Sequence, residues 1–381
     1  MNLAGNWLAH PGTQGLCKAL EAAGYRALFV GGCVRNAILG VPVADIDLAT
    51  DATPDVVTRV AEGAGFKVIP TGIDHGTVTV VASGLPHEVT TFRRDVETDG
   101  RRAVVAFSTR IEEDASRRDL TMNALYADAT GLVIDPLGGL ADTLARRVRF
   151  VGDPETRIRE DYLRILRFFR FHAAYGDPEG GLDAEGLAAC AALSEGLQAV
   201  SPERIGAEMR KLLAAADPAP AVAAMSAAGV LARILPGADP RALALLVHLE
   251  GAHPPDWLRR LAVLGGARVE ETLRLSRTEA RSFNALLTAI GGGEAPAVLG
   301  WRLGTDLGRD AMLARAAMLE QPLPKAWETE VARGATARFP VVAADLMPEL
   351  SGEALGAKLK ALETKWLQGG LRPGRDALLK A

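Results

Sequence analysis

No apolar run in this chain reaches the length of a membrane span, and the N-terminus lacks a basic stretch followed by an apolar core. Neither a membrane protein nor a secreted one is expected on that basis. Cysteine is scarce: Cys17, Cys33 and Cys190 are scattered, which excludes a disulfide framework and a cysteine metal pair and fits a reducing cytoplasm. Walker A, Cys-x-x-Cys and His-Glu-x-x-His motifs are all missing, and the six histidines form no His-Asp metal motif. An excess of positive charge is missing too. The net charge is −4, so a uniformly basic nucleic-acid coat is excluded and any RNA contact must come from local patches. What is present is ordinary for a soluble globular protein: 381 residues, 48% hydrophobic and 24% charged, enough for two or more domains with a sizeable core.

The most informative stretch runs from Ala27 to Thr50. Ala27 to Val30 is a short apolar run of β character, broken by Gly31-Gly32. Cys33 to Leu39 reads as a helix that Gly40 can close. A strand turning through two glycines into a helix N-terminus brings backbone N–H groups close to whatever sits there, which suits phosphate. Arg35, one turn in, adds a planar fork of charged donors. Asp45-Ile46-Asp47-Leu48 follows. If it is a strand, Asp45 and Asp47 share one face and Ile46 and Leu48 the other. Two adjacent carboxylates repel unless a cation lies between them, and hard oxygen ligands beside a phosphate site point to Mg²⁺. Taken singly, a Gly-Gly turn is ordinary chain reversal and Asp-x-Asp is two solvated acids. Their order and spacing together carry the signal.

Met1 to Gly24 reads as one helix, and Thr53-Pro54 supplies an N-cap and first-turn proline for a helix to Gly63. Phe66 to Ile69, Thr77 to Ala82 and His87 to Phe92 read as strands punctuated by glycines. Glu88 sits inside the last of these and projects from a sheet edge or face, as a surface acid would. Arg93 to Arg102, RRDVETDGRR, has too few apolar residues to bury a face and reads as a mobile loop. Arg117-Arg118-Asp119 precedes Leu120 to Leu125. Beyond about Arg146 strand signals almost vanish, with breaks at Gly176–Gly181, Asp217–Pro220, Gly251–Pro255 and Gly291–Pro296. That predicts a helical remainder. Arg146 to His172 carries eight arginines against Asp153, Glu155, Glu160 and Asp161. Arg159 to Phe171, free of glycine and proline, reads as one helix with Asp161, Arg164, Arg167 and Arg170 in a slowly drifting row. Alone, that row is a solvated stripe with Glu160 paired to Arg164.

In combination the motifs say more. Gly-Gly-x-Val-Arg, a helix and Asp-x-Asp resemble the signature of the DNA polymerase β nucleotidyltransferase superfamily. The likeness is to the branch of class II CCA-adding enzymes and bacterial poly(A) polymerases. Arg117 to Ala124 resembles that branch's Arg-Arg-Asp-Phe-Thr-x-Asn-Ala, Glu160 to Arg167 its Glu-Asp-x-x-Arg-x-x-Arg, and Glu203 to Leu213 its Glu-Arg-Ile-x-x-Glu-x-x-Lys-Leu-Leu helix. The resemblance implies an α+β fold: a polymerase β-like head with a mixed sheet over 1–147, a helical neck over 148–215, and a helical body and tail over 216–381. It implies a Mg²⁺-dependent enzyme adding C, C and A to tRNA from CTP and ATP, cytoplasmic, with neither a membrane nor a protein partner.

By residue, the resemblance implies that Asp45 and Asp47 hold metal, with Glu88 completing the catalytic acids. Gly32, Arg35 and Arg118 would hold the triphosphate, while Asp119 and Asn123 hold the ribose side or brace the site. Asp161 and Arg164 would read the base, supported by Arg167 and Arg170. The chemistry is legible from first principles. Cytosine and adenine each present an amino donor beside a ring-nitrogen acceptor, which a carboxylate and a guanidinium match and which uracil and guanine do not offer. One departure stands out: the family's Arg-Asp is Arg35-Asn36 here, and Asn keeps hydrogen-bonding capacity without the charge. Rival expectations are an A-only tRNA-adding enzyme, a poly(A) polymerase, or a catalytically idle RNA-binding module.

Overall fold

The computed structural model describes residues 1–73, 76–99 and 102–380, with backbone alone for 95–99 and 102–105. Its contacts divide the chain into two compact units, one of Met1–Glu208 with Pro220–Ile234, the other of Met209–Ala219 with Leu235–Ala381. No helix among the described residues is long and apolar enough to cross a membrane.

The first unit is built on a mixed sheet. Its strands are β1 (Leu28–Val30), β2 (Asp47–Thr50), β3 (Lys67–Gly72), β4 (Thr77–Ala82), β5 (Leu85–Thr91), β8 (Tyr126–Ala127) and β9 (Val133–Ile134), and β6 (Arg93–Asp99) and β7 (Arg102–Phe107) form a separate ribbon. The sheet order is β3-β4-β5-β2-β1-β8-β9. Only β2 and β5 run parallel; their register sets Asp47 beside Glu88, Leu48 beside Val89 and Ala49 beside Thr90. Period-two alternation sorts the side chains. Phe29, Leu48, Val78, Val80 and Val89 pack with residues of α2 (Pro11–Ala22) and α4 (Pro54–Gly63) on one face. Leu28, Val30, Ala49, Phe92 and Tyr126 form a second cluster on the other.

Three local expectations differ from the structure. The N-terminal stretch is not one helix: α1 (Asn6–Ala9) and α2 are separated at His10, whose ring accepts from Gly12 N, because Pro11 cannot continue the helix before it. Thr53 stands at the N-cap of α4 without a side-chain capping bond, Pro54 following it. The charged stretch from Arg93 is not a loop. Arg93–Asp99 and Arg102–Phe107 pair antiparallel, with a register shift between Asp95 and Glu97. The base of the ribbon is anchored on the unit, Arg93 N–H donating to Asp114 and Ser108 N–H to the Phe92 carbonyl, so the strands are paired from a fixed foot. Its tip, Gly100 and Arg101, lies outside the described residues.

The helices that complete this unit are α3 (Gly32–Leu39), α5 (Ile111–Ser116), α6 (Gly139–Leu144), α7 (Pro154–Glu160), α8 (Leu163–Tyr175), α9 (Ala184–Ala192), the first part of α10 (Pro202–Leu213), α11 (Ala219–Ala227) and α12 (Val230–Ile234). The second unit is helical: α13 (Leu243–Glu250), α14 (Trp257–Leu264), α15 (Val269–Thr272), α16 (Arg277–Gly291), α17 (Pro296–Leu319), α18 (Trp327–Thr336), α19 (Gly352–Gln368) and α20 (Arg375–Leu379). Its core holds a buried ion cluster. Glu250 accepts from both Arg259 and Arg260, and Arg260 also donates to the carbonyls of Leu213, Ala215 and Ala216. Arg260 thereby covers carbonyls at the end of α10 that the helix leaves unpaired.

Candidate active site

The chain leaves β1 into Gly31, whose φ of +69° few side chains tolerate, and enters α3 directly at Gly32. Arg118 faces this turn: its Nη1 would lie 3.5 Å from a Cβ placed on Gly31. The rest of that guanidinium is held. Nε and Nη2 donate to Asp114 at 3.3 and 2.9 Å, and Nε also to the Tyr126 hydroxyl at 3.2 Å. Asp114 is 1% exposed and accepts from Arg117, Tyr126 and the backbone N–H of Arg93 as well. Arg118 and Arg117 hold its carboxyl down at about 2 against the desolvation that would raise it. In return Asp114 keeps Arg118 charged. Local spacing could not single out Asp114, because its importance comes from partners up to 21 positions away.

The acids meet as expected, with one change. β2 begins at Asp47, so Asp45 lies two residues ahead of the strand rather than within it. Ile46 and Leu48 are buried all the same, and Asp45, Asp47, Glu88 and Thr79 line one cavity of about 290 Å³. Burial first, then Glu88 and Asp45, push the Asp47 carboxyl up to about 6, against the pull of Arg118. The cluster thus holds more negative charge than its surroundings balance. Among the described residues no three His, Cys, Asp or Glu side chains form a ready-made cation cage. A hard divalent cation that takes two carboxylates and completes its shell from phosphate oxygens and water fits this donor set.

Arg35 is not free to act as an open fork. It is 6% exposed, and it donates to Asn36 Oδ1, Asn123 Oδ1 and the Tyr175 hydroxyl. Asn36 also donates to the Pro42 carbonyl, tying the end of α3 to the following turn. Asn123 donates to Asp119, which accepts a bidentate pair from Arg167 at 2.6 Å. Asp119 and Asn123 thus stand in one hydrogen-bonded chain that runs from Arg35 to Arg167.

The continuous helix expected over Arg159 to Phe171 is broken. α7 ends at Glu160, Asp161 is extended with φ −156° and ψ 104°, and α8 starts at Leu163. Asp161 accepts from Leu163 N, which competes with helical continuation, and from Arg204 at 2.6 Å. Asp161 and Arg164 are neighbours across this junction rather than along one helix face. Arg164 donates to Glu160 and to the carbonyls of Arg157 and Arg117. Along α8 each arginine pairs with an acid, Arg164 with Glu160, Arg167 with Asp119 and Arg170 with Glu208; Glu208 also lies 3.8 Å from Arg167, and Glu160 also pairs with Arg157. The stripe is half-buried and paired, not solvated. Leu163, Ile165, Leu166, Phe168, Phe169, Phe171 and His172 are all buried around it.

Comparison with known proteins gives this geometry a lineage. Residues 27–149 match the poly A polymerase head domain, and residues 182–241 match the domain described as the probable RNA and SrmB-binding site of polymerase A. The mitochondrial CCA tRNA nucleotidyltransferase 1 of Mus musculus is 42% identical over 203 residues, 53% of this chain and 47% of that protein, so the match spans about half its length. The CCA-adding enzyme of Geobacillus thermodenitrificans (strain NG80-2) is 36% identical over 319 residues, 83% of this chain and 72% of that one. Among solved structures, the Bacillus stearothermophilus CCA-adding enzyme in complex with CTP superposes with a TM-score of 0.73 at 30% identity, covering 94% of this chain and 92% of that one. With head, fold and most of the length of a bacterial relative shared, the chain belongs to the family of CCA-adding enzymes.

Proposed function

We propose that the protein adds C, C and A to the 3′ end of tRNA, taking CTP and ATP without a nucleic-acid template and releasing pyrophosphate. The observation that carries this reading is the acidic cavity of Asp45, Asp47 and Glu88, with Arg118 near enough to act on Asp47 while facing the Gly31 turn. The primer's 3′-hydroxyl gives its proton to solvent as its oxygen bonds to the α-phosphorus, and the bond from that phosphorus to the bridging oxygen breaks to release pyrophosphate. Backbone N–H groups at the start of α3 and the Nη1 of Arg118 receive the triphosphate, placing its α-phosphate toward the acids. Asp45 and Asp47 would hold a Mg²⁺ ion, which would supply the charge that activates the hydroxyl and steadies the leaving group.

Base choice falls to Asp161 and Arg164. The carboxylate accepts from the amino group that C and A share, and the guanidinium donates to the ring nitrogen beside it. Arg204 and Glu160 hold the two side chains ready. U and G present a carbonyl where the carboxylate needs a donor and an N–H where the guanidinium needs an acceptor, and that mismatch disfavours them. Arg167 and Arg170 keep α8 aligned through Asp119 and Glu208. Residues 1–147 act as the catalytic head, 148–215 as the base-reading neck, and 216–381 as the tRNA-gripping body and tail, where contact is by shape and backbone charge. Three free, buried thiols suit a cytoplasmic setting.

Sequencing the 3′ ends of tRNA trimmed to the discriminator base, after incubation with each nucleotide mixture, tests the proposal. The expected product ends in CCA and grows no further. Addition of A only to ends already carrying CC would identify an A-adding enzyme. Long A tails would identify a poly(A) polymerase, and unchanged ends an idle RNA-binding module.

A further inference from the structure

Arg35 presents an unusual electrostatic situation. Its guanidinium is almost fully buried, yet no carboxylate lies within salt-bridge reach among the described residues: its hydrogen-bond partners are the neutral side chains of Asn36, Asn123 and Tyr175. The acid that acts on it most, Asp119, is already ion-paired with Arg167. A buried cation left with neutral partners is costly unless something else stabilises it. Here two aromatic faces do. The guanidinium carbon lies 4.0 Å from the ring centroid of Tyr175 and 5.0 Å from that of Phe171, within the range of cation–π attraction. The Tyr175 hydroxyl accepts from Nη2 at 2.8 Å. The same Nη2 would lie 3.9 Å from a Cβ on Gly32, so the charge sits directly behind the turn.

We propose that Tyr175 is a positioning residue for nucleotide binding: ring and hydroxyl together hold the Arg35 guanidinium, in place of a carboxylate, behind the Gly31–Gly32 turn. With no carboxylate within reach, the aromatic ring and its hydroxyl are what fix the guanidinium beside the turn. Tyr175 is the last residue of α8, so the helix that carries Arg164, Arg167 and Arg170 also fixes the charge behind the phosphate seat. The inference rests on reading the turn as the seat of the triphosphate.

The test compares the full-length wild type with Tyr175→Phe, Tyr175→Leu and the double variant Tyr175→Leu/Asn36→Asp. CTP binding is measured by calorimetry, and KM and kcat by transfer to trimmed tRNA. Tyr175→Leu should weaken CTP binding and raise KM by about tenfold, with kcat at saturating CTP nearly unchanged, while Tyr175→Phe should lose about threefold through the hydroxyl alone. Asn36→Asp adds charge and no volume, so it cannot repair a packing defect at position 175. It should restore the Tyr175→Leu variant to within about threefold of wild type by giving Arg35 a carboxylate anchor. Unchanged CTP binding in Tyr175→Leu, or no recovery in the double variant, overturns the inference. If Tyr175→Leu does not fold, Tyr175→Phe with and without Asn36→Asp carries the same comparison. A wild type that binds CTP yet transfers nothing to tRNA defeats the functional proposal and leaves this inference to the calorimetry. A wild type that does not bind CTP overturns both.

Discussion

Asp114→Asn is the substitution whose outcome can be worked most fully from the structure. The carboxylate is 1% exposed, is bonded to Arg117, Arg118 and Tyr126, and receives the backbone N–H of Arg93 at the foot of the β6–β7 ribbon. Its pKa falls from 3.8 to about 2 because the two arginines outweigh burial. A depression of that size corresponds to ~2–3 kcal/mol of stability. The sign follows from linkage. The native state holds this proton more weakly than the unfolded chain, so the stabilisation is fully present above about pH 4 and is lost as pH falls through about 2. Asn cannot carry the charge, leaving two buried guanidinium groups without their acid, so the variant should be less stable at pH 7 by ~3 kcal/mol. Urea unfolding followed by intrinsic fluorescence measures this. The gap between wild type and variant should be constant from pH 7 to 5 and narrow below pH 4. Because Asp114 aims Arg118, CTP binding should weaken by about tenfold or more. A stable variant with wild-type CTP affinity, or a gap that does not narrow in acid, would refute the electrostatic account.

In chelator at pH 7.5, Asp47→Asn should unfold at higher temperature than wild type while transferring nothing. The raised pKa of Asp47 means its ionised form costs stability above about pH 6, and the advantage should disappear below about pH 4. Asp161→Ala and Arg164→Ala should each narrow the preference for CTP and ATP over UTP and GTP by about 1–3 kcal/mol; wild-type discrimination in single-nucleotide assays would remove them from base reading. Glu250→Gln, which leaves Arg259 and Arg260 without their shared acid, should destabilise the second unit by ~3–5 kcal/mol, read as earlier proteolytic cleavage within 235–380. Deleting Asp95 to Arg102 should permit two cytidines and block the terminal adenosine, since one base pocket must reshape between C and A and this charged segment between the Glu88 strand and Arg117 is the lever we propose for it. Full CCA addition by the deletion variant would show that the ribbon has no part in the switch.

How much of this was legible in the sequence depends on the range of the forces involved. The Gly31 turn, the buried alternation of Ile46 and Leu48, and the strand carrying Glu88 are short-range patterns, and each stands where periodicity put it. The break at Asp161 was not legible. Nothing between Arg159 and Phe171 disfavours helix, and the extended conformation is held by a distant partner, Arg204. Glu160 beside Arg164 was legible from spacing, but the other two acids of α8 were hidden: Asp119 lies 48 positions from Arg167 and Glu208 lies 38 from Arg170. The ribbon is not legible in composition, because it depends on pairing across a turn and on anchoring at Asp114 and Phe92 rather than on a local apolar pattern. Tyr175 escaped notice because its partner, Arg35, lies 140 residues away.

The parallel register of β2 and β5 has a consequence for how errors are tolerated. In β5, His87 and Val89 are buried and Glu88 between them is exposed. Sliding this strand one residue along β2 would turn Glu88 into the apolar layer and Val89 out to water. Losing the burial of Val89 alone costs about 1.5–3 kcal/mol, and an unpaired carboxylate in that layer costs more. The hydrophobic layer thus works as a proofreader for the acidic cluster on the opposite face: a sheet misaligned by one step loses its stability along with its chemistry, so molecules that fold are molecules whose Asp47 and Glu88 stand level.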